Sequence, residues 1–270
     1  MKIGVRAHDY GKQEIEQLAK TLNTCGYQCC QLAMPKAIAG IDSFADIKPE
    51  HLERVRTAFE NNQVEISVFG CYVDLSNPND EIRRNAINTL KMGLAFGKAV
   101  GAKCIGTETA AQRLDEAQKK IRYPLMLDAV KEVVEEAARL NVKLALEPVY
   151  YYPLDSLRAT QDVLQTINDK SHLRMIFDPC NVLQVTDVDR QEEYWTEWLD
   201  NVGSYIEAMH IKDQYFTEDG WHVGTALGKG VVQYDTISKW LHANNPHMPL
   251  LREELRLVNA EADIAYMKNL

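Results

Sequence analysis

The sequence has no uninterrupted apolar stretch near the roughly 18 residues that a membrane-spanning helix requires, so no membrane partner is expected. It has no cluster of lysine and arginine. With a net charge of −9 it repels a phosphate backbone, which sets nucleic acid aside as a partner. No Cys-x-x-Cys pair occurs, and the adjacent Cys29 and Cys30 are poorly placed for a structural disulfide. With Cys25, Cys71, Cys104 and Cys180, they read as small buried thiols of a reducing compartment. The opening MKIGVRAHDY lacks the apolar core of a secretory signal, so a cytoplasmic protein is expected. No linker, low-complexity tract or charge run marks a boundary, and residues 1–270 read as one domain.

What is present is a regular alternation. Apolar residues make up 46% of the chain, enough for one large core. Short apolar runs at 2–6, 27–33, 64–70, 102–107, 142–147, 173–178, 205–211 and 249–253 are expected strands. Longer amphipathic segments between them are expected helices at 12–23, 49–61, 80–100, 124–140, 154–168, 190–202, 233–243 and 260–270. The segments 34–48, 72–79 and 214–232 read as irregular βα loops. Strands that alternate with helical crossovers run parallel. A doubly wound open sheet has the same rhythm, but eight units in this length favour a closed (β/α)₈ TIM barrel.

Four consecutive strand ends carry metal-competent side chains: LALEP with Glu147, MIFDPCN with Asp178, AMHIKD with His210, and PLLREEL with Glu253 followed by Glu254. Taken singly, each is more often a helix cap, a solvated loop residue or a core histidine. Their recurrence on strands five to eight carries the signal, because the C-terminal ends of barrel strands converge on one mouth. Two glutamates, an aspartate and a histidine suit one divalent ion: Mn²⁺ first, with Mg²⁺, Co²⁺ or Zn²⁺ as alternatives.

On these motifs, together with LGKGVVQYD at 227–235, VFGCYVDLSNP at 68–78 and IGTET at 105–109, the chain resembles the sugar isomerase/epimerase superfamily of xylose-isomerase-like barrels. The resemblance implies that Glu147, Asp178, His210 and Glu253 hold one divalent metal. It also implies that Glu147 and Glu253 double as an acid–base pair, which abstracts the α-proton of a carbohydrate substrate through an enediolate. Two positions depart from the pattern of the family: Gln31 stands where the second strand often ends in Glu, and Asn181 follows Cys180 where a histidine is frequent. Strand alternation sets Glu253 and Glu254 on opposite faces, and the family pattern favours Glu253 as ligand.

Substrate-binding candidates are Arg6 and His8 after the first strand, Glu108 after the fourth, Lys212 beside His210, and the glycine-flanked Lys229, which is placed to approach a phosphate. Trp195, Trp198 and Trp221 are candidates for an apolar wall, with helix packing the favoured reading for the first two. The leading expectation is a metal-dependent isomerase or epimerase of a sugar, sugar phosphate or related polyol. The alternatives are a dehydratase of inosose or dehydroshikimate type, a DNA-repair endonuclease and a non-catalytic sugar-binding barrel. Homo-oligomerisation is left open.

Overall fold

Each expected strand forms. The computed structural model describes residues 1–270, and its strands in chain order are β1 (Lys2–Arg6), β2 (Cys29–Leu32), β3 (Glu65–Gly70), β4 (Cys104–Thr107), β5 (Leu144–Leu146), β6 (Leu173–Phe177), β7 (Ile206–Ile211), β8 (Asp213–Phe216), β9 (His222–Thr225) and β10 (Pro249–Arg252). Eight of them close a barrel in the order β1-β10-β7-β6-β5-β4-β3-β2, while β8 and β9 form a separate hairpin. Every barrel pair is parallel, and β1 meets β10 with Val5 opposite Arg252 to complete the ring. Parallel neighbours need crossovers, and the amphipathic helices supply them on the outside.

The apolar residues divide into two bodies. A large cluster fills the space between strands and helices. A second, of Cys29, Val68, Cys104, Ala145, Ile176, Ala208 and Leu251, fills the barrel interior. Glycine completes that inner layer for want of room. A Cβ on Gly4 would lie 2.5 Å from Cys29 Sγ, and one on Gly106 would lie 2.6 Å from Ile176 Cδ1. Five of the six cysteines are buried and all are free thiols, as expected. Trp195 and Trp198 pack against Phe177 in the helix layer, so they are core and form no wall of the mouth.

Two expectations are corrected. The helix read from 124 starts eight residues earlier and spans Glu116–Leu140 with Pro124 inside it. Its start is fixed by Asp115, which accepts the Gln118 N–H at 2.8 Å while the Gln118 side chain accepts the Asp115 N–H at 3.0 Å. The segment 214–232, read as irregular, carries most of the β8–β9 hairpin, which turns at Gly220 with φ 76°. No helix is long and apolar enough to cross a membrane.

Side chains alternate along a strand, so a residue two places beyond the inner layer re-enters the barrel one storey higher. From Gly4, Cys29, Gly106, Ala145, Ile176, Ala208 and Leu251 that step leads to Arg6, Gln31, Glu108, Glu147, Asp178, His210 and Glu253. The fold thereby presents these seven side chains at the mouth.

Candidate metal centre

Glu147 and Asp178 lie just past the last hydrogen-bonded residues of β5 and β6, and His210 is the penultimate residue of β7. Asp178 is also the N-cap of the short helix Pro179–Val182. Its Oδ1 accepts the N–H groups of Cys180 and Asn181 at 2.9 and 3.2 Å. The cap fixes the rotamer and leaves Oδ2 facing the mouth.

One metal-binding atom from each of Glu147, Asp178 and His210 lies within 4.8 Å of the others. The centre is His210 Nδ1, which is 3.2 Å from Glu147 Oε1, 3.5 Å from Asp178 Oδ2 and 3.6 Å from Glu253 Oε1. The opposite ring nitrogen, Nε2, is 2.7 Å from Gln31 Oε1. The Gln31 amide is oriented by its own NH₂, which donates to Tyr72 Oη at 2.8 Å and toward Glu253 Oε1 at 3.4 Å. An amide oxygen only accepts, so Nε2 carries a hydrogen and Nδ1 turns its lone pair toward three carboxylates. That arrangement repels itself unless a cation sits at its centre.

A proton answers this partly. Burial pulls the His210 pKa down, but Glu147 and Glu253 outweigh it and drive the value well above that of free imidazole. A divalent ion answers it more fully. Glu147 Oε2 is buried without any hydrogen-bond partner, and Asp178 Oδ2 has none either, although the Lys212 ammonium lies 2.7 Å and His210 Nδ1 3.5 Å away. One nitrogen and three carboxylates fit Mn²⁺, Mg²⁺ or Zn²⁺. Gln31, which departs from the resembled pattern, is therefore the group that fixes the histidine tautomer, a usual outer partner of a ligand imidazole. Sequence reasoning registered the departure and missed this role. Asn181 was likewise seen only as a departure, yet its NH₂ donates to Glu147 Oε1 at 2.7 Å.

The acidic groups are pushed apart. Burial raises Glu147, and its neighbour Glu253 adds to the rise against His210. Burial acts on Glu253 in the same sense, but His210, Lys212 and Arg6 overcome it and hold that carboxyl far below the ordinary range. Lys212 Nζ is 3.2 Å from Glu253 Oε2 and Arg6 Nη1 is 3.6 Å from it. Glu108 rises to about 8, chiefly by burial and then by the charges of Glu147 and Glu253. Carboxyls split in this way are disposed toward different protonation states at one pH.

Of the second-tier candidates, Arg6, His8, Glu108 and Lys212 line a pocket of ≈ 190 Å³ beside the centre, together with Gln31, Lys36, Tyr72, Tyr151, Asn181, His222 and both strand-end glutamates. Lys229 does not join them. Its side chain is exposed, and the amides of Lys229, Gly230 and Val232 donate to the Asp213 carboxylate at 3.1, 2.8 and 3.2 Å. Asp213 therefore occupies the nest that was read as a phosphate cradle. The opposite-face expectation for Glu254 also fails. β10 ends at Arg252 and Glu254 has φ 55°, so strand alternation stops and both glutamates border the pocket, Glu253 buried and Glu254 exposed.

Comparison with known proteins agrees with this architecture. The L-ribulose-5-phosphate 3-epimerase UlaE of Escherichia coli (strain ATCC 8739) is 24% identical over 253 residues, covering 88% of this chain and 85% of the relative. The crystal structure of the 3-keto-D-glucoside 4-epimerase YcjR from E. coli superposes with a TM-score of 0.77 at 16% identity and covers 100% of both chains. That of the IOLI protein with a bound zinc atom superposes at 0.72 and 16% identity, covering 100% of this chain and 96% of that one. At such identities the solved structures speak for the fold alone. The model of the xylose isomerase-like TIM barrel matches residues 19–270, and the chain belongs to that family.

Proposed function

We propose that the protein is a divalent-metal-dependent epimerase or isomerase of a sugar, sugar phosphate or related polyol, working in the cytoplasm with Mn²⁺ as the first choice of ion. The observation that carries this reading is the His210 Nδ1 lone pair enclosed by Glu147, Asp178 and Glu253, with Glu147 Oε2 left unpartnered. Asp178 and His210 serve as ligands only, while Glu147 and Glu253 are both ligands and proton carriers. A bound divalent ion would supply Lewis acidity, which makes a hydrogen α to a ketone carbonyl removable as a proton. Glu147 and Glu253 directly follow barrel strands β5 and β10, which are separated in the ring by β6 and β7. From there they address a substrate carbon from two sides, one as carboxylate taking the α-proton and the other as carboxylic acid delivering its own proton to the opposite face. Lys212, held by Asp178 and Glu253, keeps a cation beside the developing oxyanion. Sugar-phosphate epimerase activity in the UlaE relative supports the same substrate class.

The test is turnover of ketoses and ketose phosphates by Mn²⁺-loaded enzyme in D₂O, followed by NMR and mass spectrometry. Epimerised product carrying solvent deuterium at the carbon α to the carbonyl is expected. Product that has lost water assigns the dehydratase alternative instead, and product free of solvent deuterium after many turnovers removes the proton-transfer role from the glutamates. Glu147→Gln should abolish exchange of the α-hydrogen in both directions.

A further inference from the structure

The pocket is asymmetric in charge. Its metal side is built from the ends of β5, β6, β7 and β10, whereas the opposite side carries Lys36 from the short helix Met34–Ala37, which opens the segment read as an irregular loop, His8 from the turn after β1, and Tyr72 just past β3. Lys36 makes no ion pair with any carboxylate, and its ammonium lies 5.8 Å from the centre of the Tyr72 ring. His8 Nδ1 is buried without a hydrogen-bond partner. Arg6, between the two sides, is already engaged by Asp9 at 2.8 Å and by Glu253 at 3.6 Å. Burial first, then the charges of Arg6 and Lys36, lower the His8 pKa to about 4 against an opposing pull from Glu253. At that ring Arg6 and Lys36 each weigh more than Glu253, so the local balance favours an anion although the chain has a net charge of −9.

From this we infer that Lys36 and His8 form an anion subsite that takes the terminal phosphate monoester of the substrate, leaving the keto end to the metal side. The inference rests on the epimerase reading and narrows its substrate class to phosphorylated ketoses. A phosphate presents acceptor oxygens to the Lys36 ammonium and the neutral His8 ring, whose idle nitrogen becomes a donor in the right tautomer. Nothing else at that corner offers a free cation, because Arg6 and Lys212 are both held by carboxylates.

Two measurements test it. Inorganic phosphate should bind the chelator-treated protein by calorimetry, and Lys36→Gln should weaken that binding about tenfold, the order of one charge-assisted hydrogen bond. In turnover, Lys36→Gln should raise KM for a ketopentose 5-phosphate about tenfold, leave kcat nearly unchanged and leave the unphosphorylated ketopentose untouched. His8→Ala should raise KM for the ketopentose 5-phosphate more than KM for the unphosphorylated ketopentose, by less than Lys36→Gln does. Equal loss on both substrates, preference for the unphosphorylated ketose, or preference for a sugar acid with a terminal carboxylate would overturn the inference. Preference for the unphosphorylated ketose would leave the epimerase reading standing. Phosphate binding that depends on Lys36 in a protein that turns over no ketose would sink that reading and keep the subsite.

Discussion

At the N-terminal end of the barrel strands, Lys143 and Arg174 close on Glu207 at 2.9 and 2.6 Å, and Lys2 and Lys103 approach Glu65 at 2.6 and 3.8 Å. At the C-terminal end, three carboxylates crowd one imidazole nitrogen. The lower set gives each carboxylate two cations and leaves the long side chains partly in water, with Lys103 58% exposed. The upper set is almost dry, with no ligand side chain more than 9% exposed, and one carboxylate oxygen has no partner at all. Charge that is paired and wet contributes a little to stability. Charge that is unpaired and dry costs stability until a cation arrives. The two ends thus separate holding the barrel from acting on a substrate.

The comparison breaks most sharply at the upper end. His210→Ala and Glu147→Gln should each lower turnover by about a thousandfold or more, within the range of general acid–base and metal contributions. Circular dichroism should find the barrel intact in both. If both variants retain turnover, the upper cluster is not the site. Metal-free protein should melt at lower temperature than protein in saturating Mn²⁺, through mass action on the folded state. Identical melting curves with Mn²⁺, Mg²⁺, Co²⁺ and Zn²⁺ would remove the ion from the account.

A smaller effect belongs to Gln31. Gln31→Leu frees the His210 tautomer and should weaken metal affinity roughly ten- to a hundredfold, read by competition with a chelating dye. Unchanged affinity would show that the tautomer is fixed by another group. At the lower end the roles invert. Glu207→Gln leaves Lys143 and Arg174 without their shared carboxylate and should cost about 1–2 kcal/mol in urea unfolding with kcat untouched. A loss of kcat there would deny the division between the two ends.

The smallest effect is a pH signature. Burial raises the Glu65 carboxyl, but Lys2, Ser67 and Lys103 outweigh it and hold the value below its ordinary 4.5. Such a group adds stability above its unfolded value and loses it as pH falls through the folded value. Lys2→Met should therefore cost less than about 1 kcal/mol at neutral pH, and that difference should vanish in strong acid. A difference that persists below about pH 2 would mean that Lys2 acts through packing alone.

Much of this was legible in the sequence because barrel geometry converts period-two spacing into position. The step from Ala145 to Glu147, or from Ala208 to His210, can be counted along the chain. The hairpin was not legible from hydrophobicity, since its strands DQYF and HVGT are polar; only Asp219–Gly220, a turn dipeptide, pointed to it. The start of the helix read from 124 was misplaced because the Asp115–Gln118 capping box upstream of it went unread. Lys229 misled because glycines beside a lysine announce free amides, and only the fold shows Asp213 accepting them. Gln31 needed the partner ring in space, which lies 179 residues away along the chain.

The inner layer of Gly4, Cys29, Val68, Gly106, Ala145, Ile176, Ala208 and Leu251 has a consequence for descent. It seals the barrel beneath the mouth with apolar side chains and glycines, so what stands above it can be exchanged without opening a void below. A lineage can therefore rewrite its chemistry one strand tip at a time, each tip acting as a separate slot over a common floor. Gln31 toward the tip of β2 and His210 toward the tip of β7 are two such slots, joined in this chain by one hydrogen bond.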